Sequence, residues 1–173
     1  IITLMGDATI THEAATAYTD LGVGWTDTLD GSGTLTATGT VDVNTVGAYT
    51  LTYDFTDAAG NAGVQVTRTV NVVDTTKPVI SLLGDRNVTH SVWTAYSDAG
   101  AEASDTLDGN LTAKLFLTNG MDVNLPGSYL LTYHVQDAAG NDAVSVTREV
   151  QVVNQAPTQI YLSNLSIEEN LPA

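Results

Sequence analysis

The chain reads as an all-β protein of two tandem β-sandwiches. Three observations predict this. One stretch occurs twice, the apolar residues alternate with a period of two, and turn residues punctuate the chain every few positions. The repeated stretch is Gly47-Ala-Tyr-Thr-Leu-Thr-Tyr-Asp-Phe-Thr-Asp-Ala-Ala-Gly-Asn61, which returns as Gly127-Ser-Tyr-Leu-Leu-Thr-Tyr-His-Val-Gln-Asp-Ala-Ala-Gly-Asn141. Tyr49, Leu51, Tyr53 and Phe55 alternate with polar residues, as a half-buried strand requires. Asp57-Ala-Ala-Gly-Asn61 turns the chain, because Gly60 tolerates positive φ and Asp and Asn bond their own backbone. Val64, Val66, Val70 and Val72 then resume the alternation.

The two copies stay in register along their length. Ile2-Thr-Leu-Met-Gly-Asp7 matches Ile80-Ser-Leu-Leu-Gly-Asp85, Ala17-Tyr-Thr-Asp20 matches Ala95-Tyr-Ser-Asp98, and Asp27-Thr-Leu-Asp-Gly31 matches Asp105-Thr-Leu-Asp-Gly109. Val41-Asp-Val-Asn44 matches Met121-Asp-Val-Asn124 after two extra residues in the second copy. The expected domains are 1–75, 76–155 and a tail of 156–173. The boundary lies at Asp74-Thr-Thr-Lys-Pro78, where Pro78 cannot continue a central strand.

Within the first copy, Ile2–Met5 reads as a strand and Glu13–Tyr18 as a second. Tyr18–Gly31 reads as a long acidic loop, Thr34–Thr40 as a Thr-rich strand and Val41–Val46 as a short one. The repeated hairpin completes about seven strands, with nothing helical. Tyr49 and Tyr129 each follow a glycine at the start of the penultimate strand, where a tyrosine corner belongs.

Composition narrows the function. Among 173 residues, 5 are Lys or Arg and 20 are Asp or Glu, a net charge of −15. Such a surface repels nucleic acid and anionic lipid, and it either suits divalent cations or is simply highly soluble. There is no cysteine, so no disulfide staples the fold. No apolar run reaches transmembrane length and no signal peptide is evident. Ile1 falls mid-pattern, as in a segment cut from something longer. The sequence has no nucleophile elbow and no zinc-like His or Cys spacing. His12 and His90 sit at equivalent turns. Arg68 and Arg148 fall in phase with the valines of the last strand, where each should bury its stem and pair its head with a carboxylate. Trp25 and Trp93 are read as covers for a sandwich edge, with a sugar-stacking platform as the other option.

The ordered motifs Leu-x-Gly-Asp, Ala-Tyr-x-Asp, Asp-x-x-Asp-Gly, Gly-x-Tyr-x-Leu-Thr-Tyr-x-x-x-Asp-Ala-Ala-Gly-Asn and Thr-Arg-x-Val-x-Val-Val resemble bacterial surface Ig-like domains. The resemblance covers residues 1–154 twice over. It implies two immunoglobulin-like sandwiches of the kind found in tandem in large adhesins and appended to some toxins and carbohydrate-active enzymes. Asn110-Leu-Thr112 after Asp-Gly in the second copy has no counterpart in the first. The tail Ala156–Pro172 resembles the opening of a bacterial cadherin-like repeat, in which Glu169 matches a calcium ligand position.

In an Ig-like topology, the loop between the second and third strands and the last hairpin tip share one pole. In the second unit that pole gathers Asp98, Asp105, Asp108, Asp137 and Asn141, and the linker brings Asp74. Clustered carboxylates repel unless a cation intervenes, and Ca²⁺ takes six to eight oxygen ligands. These residues are the candidate Ca²⁺ site, set against ordinary Asx-turn capping by the same side chains. The functional expectation is a non-catalytic spacer or adhesion module of a secreted, cell-surface repeat protein. It would act as a monomer, with neighbouring modules of its own chain as partners and cell-surface or polysaccharide ligands beyond them. No nucleic acid partner and no membrane insertion are expected. The alternative is a carbohydrate-binding accessory module of a secreted polysaccharide-degrading enzyme.

Overall fold

The computed structural model describes residues 1–155. Two β-sandwich units follow one another. The first is built from β1 (Ile2–Leu4), β2 (Thr9–Glu13), β3 (Val23–Asp27), β4 (Gly31–Leu35), β5 (Gly47–Tyr53) and β6 (Val66–Val73). The second contains β7 (Val79–Leu82), β8 (Asn87–Ser91), β9 (Ala101–Asp105), β10 (Gly109–Asn110), β11 (Phe116–Asn119), β12 (Gly127–His134) and β13 (Val146–Val153). Sheet β1-β3-β4 faces sheet β2-β6-β5, and β10-β9-β7 faces β11-β12-β13-β8. In each unit the last strand pairs antiparallel with its hairpin partner and parallel with the second strand, β6 with β2 and β13 with β8.

Alternation builds the cores. Along β6, Arg68, Val70 and Val72 are buried while their neighbours are not. They meet Ile2, Val23, Leu51 and Tyr53 in the first core. In the second unit Ala101 and Ala103 stand at the positions of Val23 and Trp25. Leu111, fully buried there, helps fill the space they leave, and Leu115 packs against the same cluster.

Several local expectations are corrected. The second strand is Thr9–Glu13, ending where the sequence reading began it, and the expected acidic loop contains β3. Val23 and Trp25 supply that strand's inward face despite the flanking glycines and aspartates. The Thr-rich run splits: Gly31–Leu35 pairs with β3, whereas Thr38 bridges Thr52 on the opposite sheet. Gly39 directly follows the bridge, at φ 108°, and a Cβ there would lie 2.9 Å from the Thr50 carbonyl. Val41–Val46 forms a turn rather than a strand, in which Asp42 accepts from the Asn44 N–H at 3.0 Å. The first unit therefore has six strands. In the second, the region of the two-residue insertion holds a 3-10 turn at Thr112–Lys114 and then β11, a strand absent from the first unit. The cadherin-like opening, with Glu169, lies outside the described residues.

Both tyrosine corners form. The Tyr49 hydroxyl donates to the Thr45 carbonyl at 2.8 Å, and Tyr129 to that of Leu125 at 2.9 Å. They fix the entry to the penultimate strand in each unit.

Candidate functional site

Two polar constellations repeat in the units, and only one reaches the junction. The first is an internal lock. Arg68 is fully buried on β6 and reaches across to the other sheet's loops. Its guanidinium donates to the carbonyls of Asp7 (3.0 Å), Met5 and Gly22, and pairs with the Asp20 carboxylate. Asp20 also accepts from the Tyr53 hydroxyl at 2.7 Å and the Gly22 N–H at 2.9 Å. Burial works against ionised Asp20, yet the bonds from Tyr53, Arg68 and Gly22 hold its carboxyl below the usual range. Burial and the Asp20 carboxylate push the Tyr53 phenol up to about 12. A buried cation is tolerable only when its donors are satisfied and its charge is paired, and here both conditions hold.

The second unit repeats the lock. Arg148 pairs with Asp98 and donates to the carbonyls of Asp85, Leu83 and Gly100. Tyr133 and Tyr96 both donate to Asp98, as does the Gly100 N–H. Asp98 is thereby removed from the expected calcium set, because its oxygens are spent on Arg148 and its neighbours. The twin Ala-Tyr-x-Asp motifs carried the signal: a Tyr and an Asp that recur together with the buried Arg are its partners.

The remaining candidates do converge where the units meet. Asp105 ends β9 in an Asx turn, with Oδ1 accepting the N–H groups of Leu107 (2.8 Å) and Asp108 (3.1 Å). Asp108 ties that loop to the hairpin tip by accepting the Ala138 N–H at 2.6 Å. Both Asp137 oxygens accept from Asn141, whose amide also donates 3.1 Å to the Asp74 carbonyl in the linker. Asp74 Oδ1 accepts from the Thr76 N–H at 3.2 Å. Asp74 and Asp105 are each 8% exposed, and Oδ2 of each is buried with no hydrogen-bond partner. Burial, with the nearby charges of Asp105, Asp137 and Glu13, raises the Asp74 pKa. Among the described residues, no three His, Cys, Asp or Glu side chains converge closely enough to hold a metal unaided.

Glu13 was not anticipated. Its carboxylate takes the N–H and hydroxyl groups of both Thr75 and Thr76, at 2.7–3.0 Å. The Thr75 N–H leads the bonds that lower its pKa. The available signal was the departure between copies, Glu13 against Ser91, directly before the linker in space.

The tryptophans separate. Trp25 stacks on Phe55 at 4.0 Å and 19°, and lies over Gly33, where a Cβ would meet the indole at 2.8 Å. Trp93 is 73% exposed and covers no edge, with φ 59°; Ala15, its repeat equivalent, has φ 55°. His12 and His90 bond Thr16 and Thr94 and pack edge-on against Tyr18 and Tyr96, which makes them turn residues.

Paired sandwiches with internal arginine locks and a built junction define a tandem immunoglobulin-like module. The chain belongs to the family of the bacterial surface protein, Ig-like domain, which matches residues 2–72 and 80–152. Among curated proteins it is 30% identical over 138 residues to an uncharacterized 81.3 kDa protein of Acholeplasma phage L2. That match takes in 77% of this chain and 18% of the phage protein. Among solved structures, it is similar to the Clostridium perfringens ZmpB structure of the M60 catalytic domain with the CBM51-1 and CBM51-2 domains. The TM-score is 0.50 at 13% identity, over 90% of this chain and 31% of that one. The Clostridium thermocellum CbhA fibronectin(III)-like modules align over 95% of this chain and 100% of theirs, at 16% identity and TM-score 0.35. At 13% identity the ZmpB likeness concerns the fold alone. No helix among the described residues is long and apolar enough to cross a membrane.

Proposed function

We propose that the chain is an extracellular spacer or adhesion module of a larger surface protein, stiffened at its junction by Ca²⁺. One observation carries this reading: the linker is held from both sides. Glu13 of the first unit grips Thr75 and Thr76, and Asn141 of the second bonds the Asp74 carbonyl. A flexible tether needs neither grip. The orphaned oxygens of Asp74 and Asp105 support the cation, since buried carboxylate oxygens call for a partner. Ca²⁺ between them would complete its shell with backbone carbonyls and water. Small-angle scattering in Ca²⁺ and in EDTA tests this. The expected result is an extended envelope that loosens on chelation; identical curves for the wild type and Asp74→Asn in both buffers would remove the cation from the account.

A second reading is favoured by Trp93, whose exposed indole is suited to stacking on a sugar ring. It describes a carbohydrate-binding accessory module. Quenching of tryptophan fluorescence by polysaccharide, lost in Trp93→Ala, would support it.

A further inference from the structure

Leu29 and Leu107 occupy the same place in the repeat, yet their surroundings differ completely. Leu107 packs against the hydrophobic core of the first unit, and beside it Ala138, Ala139 and Asp108 line a small cleft with Val46 and Asp74. Leu29 is 95% exposed. Its loop is nevertheless built the same way. Asp27 Oδ1 accepts the N–H groups of Leu29 (2.9 Å) and Asp30 (3.1 Å), and Asp30 accepts the Ala58 N–H at 2.7 Å. Asn61 donates twice to Asp57, as Asn141 does to Asp137. The first unit thus holds, facing water, the shape that the second unit buries at the junction.

From this equivalence, and resting on the junction described above, we infer that the Leu29 pole is a docking surface. Its partner is the far pole of another Ig-like unit ending as the first unit does, with Glu13, Val46 and Asp74 in place. The second unit's own far pole does not fit. It carries Trp93 for Ala15, Ser91 for Glu13, Pro126 for Val46 and Asn154 for Asp74. A bulky exposed indole replaces a small side chain, and Ser91 has no carboxylate with which to hold a linker as Glu13 does. The contact is head-to-tail and selective, so identical copies of this chain do not polymerise through it. The preformed loop lowers the ordering cost of docking, and covalent tethering supplies the effective concentration that a small contact needs.

The test places residues 1–78 directly ahead of the full chain, so that Pro78-Ile1-Ile2 reproduces Pro78-Val79-Ile80. Leu29→Asp is made in the second of the three units, and Leu107→Asp in the native chain. Small-angle scattering and amide exchange of the Asp27–Gly31 loop are read. Docking predicts that the loop gains protection in the three-unit chain and that Leu29→Asp abolishes the gain and broadens the inter-unit distances. In the native chain Leu29→Asp should change neither measurement. No protection of the loop in the three-unit chain, while Leu107→Asp loosens the native chain, overturns this inference alone. If Leu107→Asp also leaves the native chain unchanged, the rigid junction fails and this inference with it.

Discussion

Glu13, the last residue of β2, holds Thr76 of the linker by its N–H at 3.0 Å and its hydroxyl at 2.7 Å. The grip belongs to one unit and the linker leads to the other. Glu13→Ala should therefore free the linker with little effect on either core. Because the carboxylate is solvent-screened, the expected loss of stability is about 1 kcal/mol. The larger change should appear as faster amide exchange at Thr75 and Thr76 and a wider spread of inter-unit angles.

The arginine locks should behave in the opposite way. Asp98→Ala leaves the Arg148 cation buried without its carboxylate, a loss of about 3–5 kcal/mol by comparison with other broken buried pairs. Asp20→Ala should do the same to Arg68. Urea unfolding should show only the affected unit melting early, because the two locks share no residue.

The Asp74 carboxyl has its pKa raised above 3.8 by burial and neighbouring charge. A raised folded-state pKa means stability that is present below the unfolded value and lost as pH rises through the folded one. In EDTA at neutral pH, Asp74→Asn should melt a few degrees above the wild type, and the gap should close as the pH falls toward 4. In Ca²⁺ the order should reverse, since only the wild type retains both carboxylates. Paired thermal scans across pH, in each buffer, measure this.

Trp93 sits at φ 59°, a region that costs a non-glycine residue about 1 kcal/mol or more. Trp93→Gly should accordingly stabilise the second unit by about 1 kcal/mol, read as a higher urea midpoint. If the indole is a sugar platform, the same variant should lose polysaccharide binding while gaining stability.

What the sequence disclosed follows the strength of its patterns. The β5–β6 and β12–β13 hairpins were legible because alternation and turn chemistry agreed. β3 was hidden, because Val23 and Trp25 are interleaved with Gly24 and Thr26 and flanked by aspartates, so local composition spoke for a loop. The tertiary contact that overrides it, packing of Val23 into the core, has no local signature. That Asp105, Asp108, Asp137 and Asn141 form one loop cluster is legible because the tip motifs repeat. Asp98 was misassigned because an acidic residue near that pole looks the same whether it faces a neighbour or a buried guanidinium. Glu13 was overlooked because its partners lie 62 and 63 residues away.

The parallel pairing of β8 with β13 has a mechanical consequence. If the second unit is pulled from its two ends, the load enters through β7, which pairs in the opposite sheet, passes to β8 and leaves after β13. These strands are joined side by side over Asn87–Ser91 and Glu149–Val153. The tension then slides one strand along the other, so the rungs of that ladder must yield together instead of opening one at a time. β2 and β6 are joined in the same sense in the first unit, so once the short opening strand, β1 or β7, has peeled from its antiparallel neighbour, a parallel ladder in shear carries the load in each sandwich.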